Sequence, residues 1–380
     1  MYTSFGKTRI KSPKNDICRA LQSIPGADLA SEFHPRRRCR RRGLNLDYNS
    51  KDGGSIHDEN GRKQPEAVPN LFISHQINDV TWIGFGFTVP FGLSTEYDDN
   101  WEQAYEGTDA KIEVYDFNPT FAWKLSDKFS LGAGVSYQYV KAKLGFNKSA
   151  VSNGFISNTH TRLTGDAWGW NVGAMWTPVE NVRIGASYRS AIGHTVNGDL
   201  NVTVNSTVNN QVFSKVITTP ATVSMDAPAW AMLSAAWDVN DWLSLYGTMR
   251  WADWSSFKAL TVEAGKFSSS QPKNWKDTYL YSVGYDARIN SFWTLRGGIA
   301  YETSTIDDKY TRTGTIPDAD RWWFAIGSSF HWTKDFQTDV GFAHLHGVHE
   351  RSLYNSKHEE IGKFRKLDAY IIGIQGQYRF

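Results

Sequence analysis

The chain ends on Tyr370-Ile-Ile-Gly-Ile-Gln-Gly-Gln-Tyr-Arg-Phe380, and this stretch alternates. Tyr370, Ile372, Ile374, Tyr378 and Phe380 fall on one side of an extended strand, and Gln375, Gln377 and Arg379 fall on the other. In a bilayer such a strand turns its apolar face to lipid and its polar face to a lumen, with aromatic rings at the interface. A terminal strand ending on Phe is how an outer-membrane barrel closes. The expected fold class is therefore all-β, a transmembrane antiparallel β-barrel.

Composition agrees. The 380 residues include Trp 16, Tyr 17 and Phe 21, an aromatic fraction of 14%. No run approaches the roughly 18 to 20 apolar residues of a membrane helix. A large soluble β-sandwich also alternates, but its buried face favours aliphatic residues over tryptophan.

The period of two recurs along the chain. Phe129, Leu131, Ala133, Val135, Tyr137 and Tyr139 alternate with Ser130, Gly132, Gly134, Ser136 and Gln138. Trp322, Phe324, Ile326, Phe330 and Trp332 alternate with Ala325, Gly327, Ser329 and His331. Short polar turns near Asn78-Asp79, Ser126-Asp127, Glu180-Asn181, Asn240-Asp241, Asn290-Ser291 and Lys334-Asp335 separate long connections near 96–111, 148–163, 198–221, 259–275, 303–317 and 348–364. This asymmetry predicts periplasmic turns and extracellular loops. Six short turns join twelve strands, and the segment from about residue 365 makes thirteen. Single-chain bacterial barrels carry an even number, so about 14 strands are expected within residues 44–380. The unread one should precede Pro69, where Gly43–Ser50 is the only candidate.

Residues 1–43 differ from the rest. They hold eleven Lys or Arg against three Asp or Glu, the run Arg36-Arg-Arg-Cys-Arg-Arg-Arg42, and both cysteines, Cys18 and Cys39. The remainder carries 30 basic and 36 acidic residues, a net charge of −6. A basic arm for nucleic acid or anionic lipid, a targeting segment and a Cys18–Cys39 disulfide are the functional readings. No apolar run or small-residue cleavage site marks a secretory signal. The segment suits an exported barrel poorly, and it is expected to be a wrong start or shifted frame rather than a native plug, with no nucleic-acid partner.

From about residue 68 to 380 the chain resembles the FadL/TodX-type outer-membrane transporters of long-chain fatty acids and hydrocarbons. The stretches that carry this are Val68-Pro-Asn-Leu-Phe72, Ile77-Asn-Asp79, Pro90-Phe-Gly-Leu-Ser-Thr-Glu-Tyr-Asp-Asp-Asn-Trp101, Asp166-Ala-Trp-Gly-Trp-Asn171, Tyr188-Arg-Ser190, Asn274-Trp-Lys-Asp277, Trp293-Thr-Leu-Arg-Gly-Gly298 and Ile316-Pro-Asp-Ala-Asp-Arg321. The resemblance implies a 14-stranded barrel plugged by an N-terminal hatch, which takes hydrophobic ligands from outside and releases them sideways into the membrane. It covers the barrel only. The hatch, with its Asn-Pro-Ala motif, has no counterpart in this sequence. The partners implied are a hydrophobic small molecule, the bilayer and the barrel assembly machinery, the last through the C-terminal strand.

Pro90, Phe91 and Gly92 interrupt the regular strand Thr81–Val89. Proline cannot donate to a ladder, so a gap in the wall is expected here. The resemblance makes that gap a lateral gate; a simple strand end is the alternative. Strand parity places Lys276 and Arg321 on the inner face at the outer rim, where a cation can pair with a carboxylate ligand. They can equally pair within the protein, with Asp277, Asp318 or Asp320, as a rim network.

His344, His346 and His349 have the spacing of a metal cluster. No carboxylate or cysteine stands at a fixed spacing beside them, so no metal site is expected. There is no nucleophile elbow, P-loop, dinucleotide fingerprint or zinc spacing, and neither a cofactor nor an enzymatic activity is expected. The rival readings are a general porin, which needs a charged, water-filled lumen, and an outer-membrane phospholipase, which needs a Ser/His pair on the lipid-facing wall. Apolar inner positions such as Met175, Leu280 and Trp323 suit an amphiphile better than ions.

Overall fold

The computed structural model describes residues 45–49, 56–60, 67–97, 107–150, 155–208, 211–349, 352–354 and 358–380. The expectations for residues 1–43, including Cys18 and Cys39, lie outside the described residues. Strands are β1 (Asn45–Asn49), β2 (Ile56–Asn60), β3 (Leu71–Gln76), β4 (Thr81–Glu96), β5 (Asp109–Lys124), β6 (Phe129–Ala150) and β7 (Phe155–Val179). There follow β8 (Val182–Arg189), β9 (Ile192–Val208), β10 (Gln211–Ala227), β11 (Trp230–Asp238), β12 (Leu243–Ala252), β13 (Ala259–Ala264) and β14 (Phe267–Pro272). The last are β15 (Thr278–Arg288), β16 (Trp293–Glu302), β17 (Arg321–His331), β18 (Phe336–Gly347), β19 (Ser352–Tyr354), β20 (Glu360–Lys366) and β21 (Asp368–Tyr378). Among the described residues no helix is long and apolar enough to cross a membrane.

The wall is an up-and-down antiparallel sheet. By register β3, β4, β5, β6, β7, β8, β11, β12, β15, β16, β17, β18 and β21 follow one another. That order leaves β3 and β21, its two end strands, running in the same direction. Antiparallel closure needs one more strand of opposite sense. Gly43–Ser50 was the candidate, but Asn45–Asn49 is placed elsewhere: β1 pairs with β2 and β20 in a separate four-stranded sheet.

Side chains sort as a barrel wall requires. On β17, Phe324 and Ile326 point outward, 46% and 55% exposed, whereas Trp323 between the outward neighbours is buried at 4%. Trp168, Trp176, Trp237, Trp242 and Trp332 are exposed on the same outer surface. Ser136, Gln138 and Asn171 are buried on the inner one.

Five of the six short turns share one chemistry. The Asn78 side-chain oxygen accepts from the Val80 and Thr81 N–H groups, at 3.0 and 2.9 Å. Asn240 and Asn290 do the same for Trp242/Leu243 and Phe292/Trp293, and Ser126 and Thr333 use their hydroxyls. Each reverses the chain by capping its own backbone two and three residues on.

The stretches near 148–163, 198–221 and 259–275, expected as loops, are largely strand. β9 pairs with β10 along its whole length and with the outer part of β7, and β10 continues to β13 and β14. Their β-branched content (Val202, Thr203, Val204, Val216, Ile217) favours this pairing once a neighbouring edge is present. The extension curls over the outer end of β5, β6 and β7. It buries an apolar cluster of Val114, Val140, Ala142, Leu163, Val196, Ala221, Val223 and Ala264.

Candidate functional site

The defect expected at Pro90 is a β-bulge. Thr88 pairs with Asp116 and Phe91 with Val114, so Val89 and Pro90 together face Tyr115. Two residues against one on the partner strand reverse the alternation beyond that point. Ile83 and Phe85 are exposed on the outer surface. Phe91 would have continued their row, but it turns inward instead. It packs against that apolar cluster and meets Trp254 edge-on, with ring centroids 6.0 Å apart. Trp254 in turn packs on Trp230, Met232 and Ala252.

Pro119 on β5 shows how the wall treats a proline that it closes. The Asn118 side-chain amide donates to the Val135 carbonyl at 2.9 Å, on the strand that Pro119 cannot reach with an N–H.

Beside the bulge the inner face carries a buried ion pair. Arg189 Nη1 lies 2.7 Å from Asp116 Oδ2, and the guanidinium stands 5.8 Å from the Trp230 ring centroid. Further round, Leu280, Ala300, Trp323, Ala343 and Leu345 form an apolar layer. On its inner-end side Arg296 sits 3.4 Å from Asp286 and 3.3 Å from Asp339. A cavity of about 70 Å³ opens between these layers, lined by Tyr246, Ser282, Asp286, Arg296, Ala300, Trp323 and Ala325 among others. On the outer-end side Glu302 is a hub. It takes Arg250 at 2.9 Å and Arg321 at 3.4 Å, and accepts from the Trp323 indole at 3.2 Å.

The rim residues expected from sequence divide. Arg321 lies 2.7 Å from Asp318 Oδ1 and shares Glu302, which is the arrangement of a rim network. Lys276 is half-exposed and 3.6 Å from Asp307, a partner outside the expected set. Asp277 accepts instead from the Trp251 indole at 2.8 Å and the Ser255 N–H at 3.0 Å. Asp318 and Asp320 clamp the start of the 303–317 connection. Asp318 accepts from Ser304 and Thr305, and Asp320 from Tyr301, the Ser304 N–H and His349.

The pattern of the outer membrane protein transport protein family (OMPP1/FadL/TodX) matches residues 35–380. The chain belongs to this family. The match begins earlier than the residue-68 limit of the quoted stretches and takes in the end of the basic segment. The chain is 28% identical over 338 residues to the 47 kDa outer membrane protein of Pasteurella multocida, covering 82% of this chain and 77% of that protein. It is 26% identical over 340 residues to the long-chain fatty acid transport protein of Escherichia coli K12, covering 80% and 76%. Among solved structures, a Pseudomonas aeruginosa FadL homologue superposes with TM-score 0.73 at 22% identity, over 88% of this chain and 87% of that one. The Pseudomonas putida toluene transporter TodX superposes at 0.69 and 16%, with the same coverage. At these identities the structures show a shared fold. Membership places this chain in the outer membrane, as a transport protein.

Several members of the site escape sequence reading. Glu302, Arg250 and Arg296 sit at inward parity, but nothing local says which strands bring them together. Arg189 and Asp116 are 73 positions apart in the chain. Only the strand order makes them neighbours.

The rim clamp gives a pH prediction. Burial alone pushes the Asp320 carboxyl up. Hydrogen bonds from the Ser304 N–H, the Tyr301 hydroxyl and His349 outweigh it and hold the group below its ordinary value. The stabilisation is therefore complete above the unfolded-state pKa, about 3.9, and is lost as pH falls through the lower folded-state value. Amide exchange at Ser304, whose N–H donates to Asp320, should lose protection below that value in the wild type once corrected for intrinsic rates. Asp320→Asn should flatten the dependence. Equal protection at pH 7 and at a pH below the folded-state value, where the carboxylate is protonated, would remove the clamp.

Proposed function

We propose that this chain is a passive channel for hydrophobic small molecules, long-chain fatty acids or hydrocarbons, with lateral release at Pro90, Phe91 and Gly92, where the Val89–Pro90 bulge lies. The observation that carries this reading is the inward turn of Phe91 at Pro90, where the bulge meets the apolar cluster on the outer ends of β5, β6 and β7. A ligand that sheds apolar area against that cluster gains about 25 cal/mol per Å² removed from water. Leaving through a gap in the wall takes it into lipid without exposing it again. The names of the relatives, a long-chain fatty acid transport protein and a toluene transporter, support the same ligand class.

Lys276 and Arg321 are proposed as the rim cations that orient an acidic ligand. Lys276 serves as first contact because it is the more exposed. Arg321 exchanges an existing carboxylate partner for the ligand's. Asp318 and Asp320 hold the rim network in which that exchange occurs, with Asp277 positioned beside it. The last strand, β21, is proposed as the segment read by the barrel assembly machinery. The inner charges support a channel for amphiphiles over a porin, since Arg189, Arg250, Arg296 and Arg321 each have a carboxylate beside them.

Uptake of labelled oleate, toluene and arabinose should be compared in cells that lack their own transporter and produce this chain in the outer membrane. Oleate or toluene should enter above background while arabinose does not. Equal entry of arabinose would favour the porin, and release of lysophospholipid would favour the enzyme.

A further inference from the structure

We propose that His344, His346 and Asp368 form a binding site for a divalent transition-metal ion on the outer surface of the wall. The two histidines are two apart on β18 and so share a face. The register sets His346 opposite Asp368 and His344 opposite Tyr370. Sequence spacing showed the imidazoles without a carboxylate; the β18–β21 pairing supplies one.

The three ligand atoms lie within 4.8 Å of one another. His346 Nδ1 is 2.7 Å from Asp368 Oδ1, and His344 Nε2 is 3.9 Å from that same oxygen. A tetrahedral ion with bonds near 2.1 Å sets its ligand atoms about 3.4 Å apart, so small side-chain rotations close the set. A second observation points the same way. His344 Nε2 is buried and makes no hydrogen bond among the described residues. A buried ring nitrogen without a partner is costly, and a metal ion satisfies it. The imidazole is also held in place, stacked on Tyr370 with centroids 4.7 Å apart and planes at 11°.

Two imidazoles and one carboxylate form a donor set for zinc or a neighbouring first-row ion rather than for calcium or magnesium. Three protein ligands leave a fourth position for water or an anionic oxygen. The bound ion staples β18 to β21, the last strand of the wall, near their outer ends. It takes the place of the hydrogen bond between His346 Nδ1 and Asp368 Oδ1. His349 belongs elsewhere: it pairs with Asp320 at 2.9 Å.

The test uses the full chain refolded in detergent micelles and titrated with zinc chloride by calorimetry near pH 7.5. His344→Phe keeps a ring on Tyr370, and Asp368→Asn keeps the shape of the carboxylate. His349→Asn is the control, and each variant is scored as folded by its mobility in unheated gels. The wild type and the control should bind zinc saturably with equal affinity. Loss of either ligand should weaken binding at least about tenfold, the lower end of what even outer-shell changes cost. No saturable zinc binding by the wild type, or binding unchanged in both folded ligand variants, would overturn the proposal.

Discussion

Replacing Arg189 with alanine should lower the unfolding free energy of the refolded barrel by about 3 to 5 kcal/mol, the cost of stranding a buried charge. Asp116 has a side chain only 1% exposed, and Arg189 is its one ionic partner among the described residues. The second oxygen, Oδ1, makes no hydrogen bond among the described residues. Removing the guanidinium also takes a cation from the face of Trp230. The paired change Arg189→Met with Asp116→Leu should restore most of the loss, because a packed apolar pair avoids the desolvation cost that the ion pair bears. Urea unfolding in micelles measures both. A single-variant loss under about 1 kcal/mol would mean that water reaches Asp116 and that the inner face is wet there.

The fold was legible because the barrel writes itself locally. Each wall strand carries its own alternation, and five of the six short turns carry the Asn, Ser or Thr that caps them. Asn78 and Asn290 mark their turns without reference to any other part of the chain. Pro90 was legible for the same reason, since a proline in a ladder must be accommodated where it stands. What it does to Phe91 was not, because the reversal depends on how β5 is counted against β4. The long connections misled for a related reason. Their β-branched residues become strands only beside the outer ends of β7 and of each other.

The site was less legible than the fold. Inward parity identified Arg321 and Lys276, but the hub between Arg250 and Arg321 is Glu302, at the end of a strand two places from one and one from the other. Asp368 joins His344 and His346 only through the β18–β21 register. Charges in a lumen choose partners across strands, and sequence order is silent on that choice.

Deleting Pro90 should abolish uptake while leaving the barrel folded. The bulge holds one residue too many, so without Pro90 the remaining Val89 stands opposite Tyr115. Every other pair between β4 and β5 keeps its present register, including Thr88 with Asp116 and Phe91 with Val114. Phe91 stays inside against its apolar neighbours, and Val89 returns to the outer face. The ladder gains a continuous run where a bulge had interrupted it, and the proposed lateral gate closes. Stability should therefore hold or rise.

The most direct test is labelled oleate uptake by the Pro90 deletion, compared with the wild type at equal surface amount and equal heat-modifiable mobility. The account predicts uptake at the level of cells without the protein. Uptake at the wild-type rate from a barrel shown to be folded would contradict lateral release at this bulge.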